Sequence, residues 1–334
     1  LLLGFLFSIT LAQAPANYYD GTSGLTGAAL KTKLSQIITA GAQDNGYEGL
    51  YNAYPSTDTD SFYENDGSVL VIYSENPTGP DPYTYRHGVK KCGNYSVEGD
   101  CYNREHIIPQ SVFNELSPMV SDAHFITPTD GKVNGIRSNY PHSVVVTPSQ
   151  TTLNGSKLGT STTAGYSGLV FEPIDEFKGD IARSLLYFVV RYEGKLGLFN
   201  YYNGTSAAND RSPLDGTEEK AFEDWYIAML LQWHNQDPVS QKEIDRNNEV
   251  YALQKNRNPF IDNPQWVNVI WNQTPNSSEP QAPTNLNVTQ NSAYFLNLSW
   301  TPSPDADVIG YKMYQNDVLL TTTKGTSISI DHLE

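Results

Sequence analysis

The sequence predicts an α+β fold followed by a smaller all-β segment. Apolar runs of helical period and short strand-like runs follow one another irregularly, without the regular alternation that a parallel sheet requires. After residue 283 the composition changes to short alternating strands. The 334 residues have room for one large domain and a small one.

Four segments predict helices by the spacing of their apolar residues. The predicted helices occupy residues 26–41, 179–192, 222–233 and 238–255. Asp180 is the expected N-cap of the second helix. The third carries a one-sided stripe of aromatic residues, which we expect in the core. Residues 69–73 predict a buried strand, and residues 81–101 a loop with a hairpin held by cysteines.

The chain divides into four parts by composition. They are a partial signal peptide at 1–14, a large domain at 15–272, a linker at 273–283 and a β segment at 284–334. The first part has the apolar run and small-residue cleavage site of a secretory signal, without its basic start. We therefore expect a secreted monomer with no membrane span, the periplasm being the alternative location.

The last part resembles the start of a fibronectin type III module. The resemblance lies in three predicted strands with a tryptophan and a tyrosine at typical positions, namely 285–288, 296–300 and 310–314 with Trp300 and Tyr311. Such a sandwich uses seven strands over about 100 residues. About 50 residues remain here, so the resemblance covers a partial module.

The chain has two cysteines, Cys92 and Cys101, nine positions apart. In an oxidising compartment a disulfide is the default for such a pair, and two free thiols are the alternative.

A net charge of -16 argues against a nucleic-acid partner, but residues 84–140 hold six basic and six acidic side chains. Because the charges of this segment balance, the net charge of the chain does not exclude a nucleic-acid partner.

Residues 104–109 (Arg-Glu-His-Ile-Ile-Pro) and 130–139 (Asp-Gly-Lys-Val-Asn-Gly-Ile-Arg-Ser-Asn) hold the residue types of a phosphodiesterase. A neutral histidine can take a proton from water, and carboxylate and amide oxygens suit Mg²⁺. Glu105 and His106 are adjacent, however, and on a regular strand they would face opposite sides. Both can serve one site only if the strand twists or ends there.

Residues 102–141 resemble the catalytic core of the endonuclease I family, secreted non-specific nucleases with a His-Me finger (ββα-metal) site. The resemblance rests on 105–109, on Asp-Ala-His at 122–124 and on 131–139, with weaker likeness at 178–183 and 254–260. It implies that a strand delivers the histidine, that 122–127 is the second strand and that 132–139 is a helix. It spans roughly residues 17–272.

By this resemblance His106 is the general base, and Glu105 and Asn134 hold Mg²⁺ or another divalent cation. The family's phosphate-binding arginine has no counterpart between His106 and Asn134, so Arg137, Arg104 or Lys132 takes that role or it is absent. The expected substrate is DNA, with RNA as a further substrate. The alternatives are an extracellular ribonuclease of the same family and, in another class, a non-catalytic surface or adhesion protein.

The remaining histidines are assigned no chemistry. His124 is expected to be structural, with a hydrogen bond to the backbone. A zinc site built from His87, His106, His124 and His142 is disfavoured, because no pair has the close spacing of known zinc ligands.

Overall fold

A computed structural model describes residues 14–161, 163, 165–199, 212–272, 282–291, 295–304, 311–315, 318–323 and 325–331. The predicted signal segment, apart from its last residue, and most of the predicted linker lie outside these ranges. Helices and sheets mix along the chain, which confirms the α+β prediction.

The helices are α1 (Gly27–Thr39), α2 (Gly49–Thr57), α3 (Gly131–Arg137), α4 (Lys178–Arg191), α5 (Asp224–Gln236), α6 (Gln241–Gln254), α7 (Pro259–Asp262) and α8 (Gln265–Trp271). The strands are β1 (Tyr102–His106), β2 (Ile126–Asp130), β3 (Thr147–Thr151), β4 (Lys157–Thr160), β5 (Leu169–Glu172), β6 (Thr284–Asn291), β7 (Phe295–Thr301), β8 (Tyr311–Gln315), β9 (Val318–Thr323) and β10 (Ser327–Asp331).

Helix α4 is the central helix of the core. Its run from Leu185 to Val190 is fully buried, and it packs against α5. The aromatic stripe of α5 is buried too, including Trp225 and Trp233, as predicted. Burying so many large apolar side chains is the main favourable contribution to the stability of this domain.

Two helix starts differ from the prediction. Asp180 is in the first turn of α4, where Phe177 is the N-cap, and its carboxylate pairs with Lys242 instead. Helix α6 begins after Ser240 and not at Pro238, because Ser240 and Glu243 form a reciprocal capping box that satisfies two free backbone N–H groups.

Residues 69–73 are buried as predicted, but they do not form a strand. Val69 makes a single bridge with Thr59, and the chain then turns. The N–H groups of Ser74 and Glu75 both donate to the carbonyl of Val71. A continuous apolar run cannot by itself distinguish a buried strand from a buried turn.

Strands β1 and β2 pair antiparallel, and α3 follows β2 without a connecting loop. The second strand is 126–130 and not the predicted 122–127, because Phe125 N–H donates to the carbonyl of Asp122 and closes a turn there. Asp130 ends β2 and caps α3, since its carboxylate accepts from the N–H of Val133 at 2.9 Å.

The predicted hairpin within 81–101 is wrong: a loop occupies this segment, with a parallel bridge between Lys91 and Tyr102.

Strands β3, β4 and β5 form a separate antiparallel sheet in sequence order. Beyond the linker, β6, β7 and β10 form one sheet and β8 and β9 another. The three predicted strands of this last part are confirmed, apart from Gly310, which is outside the described residues. Trp300 is buried and its ring meets Tyr311 edge to face, with centroids 5.2 Å apart.

None of the helices in the described ranges has the length and apolar character needed to cross a membrane.

Candidate active site

A cleft of about 600 Å³ opens where the end of β1 meets α3. The cleft brings together five of the residues predicted for the site: Arg104, Glu105, His106, Asn134 and Arg137. Lys132 is not among the described residues that line the cleft, so this geometry does not support the contact predicted between Lys132 and the substrate. The disulfide loop and α2 complete the walls.

Glu105 and His106 both line the cleft, although both are in the paired part of β1, opposite Thr127 and Ile126. Their side chains have different partners, as the alternation of a strand requires: Glu105 contacts Tyr73 and Arg137, whereas His106 contacts the Val120 carbonyl. Because His106 is the last residue of β1, the cleft lies at the end of the strand.

The Glu105 carboxylate is buried and held at one oxygen. Oε1 accepts from the Tyr73 hydroxyl at 3.1 Å and pairs with Arg137 Nη1 at 3.2 Å. No hydrogen bond to a described residue occupies Oε2. Burial raises the pKa of Glu105 to about 7, although Arg137 and the Tyr73 hydrogen bond oppose this rise.

His106 is oriented by the backbone. Its Nε2 is 3.2 Å from the carbonyl oxygen of Val120, which can only accept, so Nε2 carries the proton and Nδ1 has the free lone pair. Burial lowers the pKa of His106 to about 4, with Arg104 and Arg137 adding to the effect and the Val120 carbonyl opposing it. The imidazole is therefore neutral at physiological pH.

Asn134 is the fourth residue of α3 and faces the middle of β1. Its side-chain nitrogen donates to Asn103 Oδ1 at 2.8 Å and to the carbonyl of Arg104 at 3.2 Å. These bonds fix the amide plane. Within the described residues its oxygen has no hydrogen-bond partner, which leaves it available to a cation.

Arg137 is 2% exposed and bridges α3 to the end of β1. Besides the pair with Glu105, its Nη1 donates to the carbonyl of His106 at 3.0 Å and its Nη2 to that of Ile107 at 2.6 Å. One guanidinium therefore holds both the carboxylate of Glu105 and the backbone that carries His106.

Arg104 forms the outer wall of the cleft with two tyrosines. Its guanidinium carbon is 3.4 Å from the ring centroid of Tyr47 and 4.4 Å from that of Tyr51. Nη1 donates to the carbonyl of Tyr47 and to the exposed carboxylate of Glu48. Lys91 is 4.7 Å from the Tyr51 ring, so this wall combines two cations with two aromatic faces.

The predicted disulfide between Cys92 and Cys101 is confirmed. It closes the loop that leads into β1, and Tyr95 from this loop packs on α3. A Cβ added at Gly131 would be 2.7 Å from the Tyr95 ring and 3.2 Å from Cys92 Sγ, so glycine permits this close approach.

Replacing both cysteines by serine should lower stability by about 2–3 kcal/mol, because the closed loop constrains the unfolded chain. The Cys92→Ser/Cys101→Ser protein should show an earlier midpoint in chemical denaturation. A midpoint equal to that of the parent under oxidising conditions would contradict this expectation.

Sequence reasoning missed the residues that orient the site. His142 Nε2 is 2.5 Å from the Tyr73 hydroxyl, which in turn donates to Glu105. Asn103 holds Asn134, and Tyr47 and Tyr51 hold Arg104. None of these has a local sequence pattern, since Tyr73 and Glu105 are 32 positions apart.

His124 is buried against the carbonyl of Asn256, in agreement with the backbone hydrogen bond predicted for it.

Comparison with known proteins decides the family, because the sequence model of the endonuclease I family matches residues 26–265 of this chain. This chain belongs to the endonuclease I family. An extracellular ribonuclease of Bacillus amyloliquefaciens is 34% identical over 266 residues, which cover 79% of this chain and 81% of that protein. An extracellular ribonuclease of Bacillus subtilis (strain 168) is 32% identical over 275 residues, covering 80% and 84%. Endonuclease-1 of Buchnera aphidicola subsp. Baizongia pistaciae is 26% identical over 141 residues, covering 42% and 46%.

The chain is therefore a hydrolase that acts on nucleic acids, as the sequence predicts. The alternative of a non-catalytic surface protein is rejected.

Proposed function

We propose that this protein is a secreted, Mg²⁺-dependent, sequence-non-specific endonuclease that hydrolyses DNA and RNA at a His-Me finger site. One observation carries the proposal: the end of β1 and the helix α3 place Glu105, His106 and Asn134 in a single cleft. The order of two antiparallel strands followed directly by a helix is the arrangement that such a site requires.

His106 acts as the general base in this proposal. Its Nε2 proton is committed to the Val120 carbonyl, so Nδ1 can accept a proton from a water molecule attacking the phosphorus atom. The low pKa keeps the ring neutral, which makes the lone pair available over the physiological range. The rings of Tyr47, Phe113 and Phe125 surround the imidazole and limit its rotation.

Glu105 and Asn134 fit a hard divalent cation. Glu105 is hydrogen-bonded through Oε1 and Asn134 through its side-chain nitrogen, and the other side-chain oxygen of each has no partner among the described residues. Carboxylate and amide oxygens are ligands that Mg²⁺ accepts. When bound there, Mg²⁺ would neutralise charge on the scissile phosphate and on the departing oxygen. Two protein ligands leave room for water and phosphate oxygens.

Arg104 is the residue we assign to phosphate binding. It lines the cleft, whereas Lys132 does not, and its guanidinium can exchange the exposed Glu48 for a phosphate. The neighbouring rings of Tyr47 and Tyr51 offer faces on which bases can stack without reading sequence. Arg137, buried and held by Glu105 and the carbonyls of His106 and Ile107, is assigned to positioning instead of the phosphate contact expected from the sequence.

The substrate assignment includes RNA because two relatives that cover most of this chain are named extracellular ribonucleases. The same names support secretion, for which the sequence predicts a partial signal peptide. A wall of cations and aromatic faces binds either nucleic acid, since phosphates and base faces are common to both.

The proposal is tested by cleavage assays on the purified protein. Supercoiled plasmid and end-labelled single-stranded RNA are incubated with Mg²⁺ and, separately, with EDTA. We expect both substrates to be cut at many positions with Mg²⁺ and neither with EDTA. Cleavage of RNA alone would replace the proposal with the ribonuclease alternative, and cleavage unaffected by EDTA would contradict the metal site.

The Mg²⁺ requirement should depend on pH through Glu105. Its folded-state pKa of about 7 is raised, so below that pH the metal-free carboxyl holds a proton that the cation must displace. The Mg²⁺ concentration for half-maximal rate should therefore rise about tenfold for each pH unit below 7 and level off above it. Cleavage rates across a Mg²⁺ titration at pH 5.5 to 8.5 measure this.

Glu105→Ala and Asn134→Ala supply the comparison for that experiment. Both variants should need more Mg²⁺ and regain part of their rate when it is added. Only Glu105→Ala should lose the pH dependence of the Mg²⁺ requirement, because Asn134 does not titrate. An unchanged pH dependence in Glu105→Ala would show that another group titrates.

A further inference from the structure

A second group of acidic residues lies outside the cleft, on the segment that follows α2. Asp60, Glu64 and Glu75 each direct a carboxylate oxygen to within 4.8 Å of the others. None of the three lines the cleft. Asp60 and Glu75 are buried whereas Glu64 is exposed, so the group extends from the interior to the surface.

Glu75 is the decisive member. It is 0% exposed, and neither of its carboxylate oxygens has a hydrogen-bond partner among the described residues. Its close polar neighbour is the carboxylate of Glu64, which cannot donate a hydrogen bond while ionised. Burying an ionised carboxylate without a donor or counter-charge is strongly unfavourable. Either a cation or a shared proton must therefore occupy the space between the carboxylates.

The described surroundings of the three acids add negative charge. No ion pair formed by the described residues involves Asp60, Glu64 or Glu75, and Asp81 adds a fourth carboxylate nearby. Burial, with Asp81 and the two other acids as further causes, raises the pKa of Glu75 to about 9. A divalent cation would offset this accumulation of charge.

The loop is already folded around the first ligand. Both oxygens of Asp60 accept backbone N–H groups, those of Phe62 and Tyr63 at Oδ1 and that of Asn65 at Oδ2. These bonds hold residues 60–65 as a turn that brings Glu64 back towards Asp60. Little further ordering would be needed for a cation to bind.

We infer that Asp60, Glu64 and Glu75 form a second divalent-cation site and that its ion is Ca²⁺. The three ligands are hard carboxylate oxygens with a combined formal charge of -3 when ionised, and the exposed side at Glu64 can admit water. Ca²⁺ accepts six to eight oxygens in flexible geometry, whereas Mg²⁺ requires a near-ideal octahedron. Ligands from a turn and from a residue eleven positions later suit the more tolerant ion.

The site has a structural role that is separate from the proposed catalysis. Glu75 comes two residues after Tyr73, whose hydroxyl bonds to Glu105. A cation here would fix the segment that carries Tyr73 and stabilise the folded chain by binding it and not the unfolded one. The inference does not depend on the residue roles assigned in the cleft.

The test is thermal unfolding of the whole chain, stripped with EDTA and then titrated with CaCl₂. At calcium a hundredfold above its dissociation constant, the midpoint should rise by about 5–10 °C. Glu75→Gln keeps the shape of the side chain and removes its charge, so we expect it to equal or exceed the parent midpoint in EDTA and to show little response to calcium. Glu64→Gln, at an exposed position, should also respond weakly.

Two controls separate this site from the cleft. Glu249→Gln, an exposed substitution on α6, should keep the full response of the parent, and Asn134→Ala should keep most of it. MgCl₂ at the same concentration should give a smaller shift than CaCl₂ in the parent. If the parent midpoint does not respond to calcium, a shared proton holds the pair and the inference fails. It fails equally if Glu75→Gln and Glu64→Gln respond as the parent does.

Discussion

His106→Ala should lower the cleavage rate by about 10²–10⁴, the usual loss on removing a general base. The reason is the geometry of the ring: Nε2 is engaged by Val120, and Nδ1 is left as the acceptor for the proton of water. Because His106 is not assigned to the metal, added Mg²⁺ should not restore the rate. Single-turnover cleavage of plasmid and RNA across a Mg²⁺ titration measures both effects.

His87→Ala is the matched control for this substitution. His87 is half-buried, hydrogen-bonded to Thr59, and does not line the cleft. It should cut at close to the parental rate. A folded His106→Ala protein that cuts both substrates at the parental rate would overturn the mechanism. Recovery at high Mg²⁺ would instead move His106 from the role of base to that of ligand.

Arg137→Met should destabilise the protein by about 3–5 kcal/mol, as expected when one partner of a buried ion pair is removed. Glu105, whose pKa is about 7 with Arg137 present, would then take up a proton or keep a buried charge with only the Tyr73 hydroxyl as a donor among the described residues. The carbonyls of His106 and Ile107 would lose their donor as well. Activity should fall with stability, because the same guanidinium positions both residues of the site.

A double-mutant cycle identifies the cause of that loss. Adding Glu105→Gln to Arg137→Met removes the uncompensated charge, so the double variant should be more stable than Arg137→Met alone. Recovery should be partial, since the two carbonyls stay without their donor. Lys220→Met, which removes a partly exposed lysine paired with an exposed aspartate, should change stability little. A double variant no more stable than Arg137→Met would show that Arg137 acts through the carbonyls alone.

The local patterns of the sequence predicted four of the helices and five residues that line the cleft, but they did not predict α2, α7 or α8. The helical spacing at Leu30, Leu34 and Ile38 predicts α1, and all three side chains are buried as the spacing requires. The order of Glu105, His106 and Asn134 identified the elements that meet at the cleft. Such features could be predicted because periodicity and motif order are local properties of the chain.

Other features depended on contacts that no local pattern records. Residues 69–73 are as apolar as a strand, yet hydrogen bonds to the Val71 carbonyl turn the chain there. Asp122 starts a turn instead of a strand because its carboxylate accepts from Tyr187 and Tyr192, 65 and 70 positions away. The prediction failed where tertiary hydrogen bonds overrode local preference.

The sequence by itself determined the α+β class and the family, because these follow from local spacing and from motif order. Only the tertiary structure decided how the predicted site residues are held. It places Glu105 and His106, the last two residues of β1, in one cleft, and it buries Arg137 against Glu105. It also places Glu75 beside two other acids, with no hydrogen-bond donor to it among the residues that the structure describes. These properties arise from burial and from partners distant in the chain, and both exist only once the chain is folded.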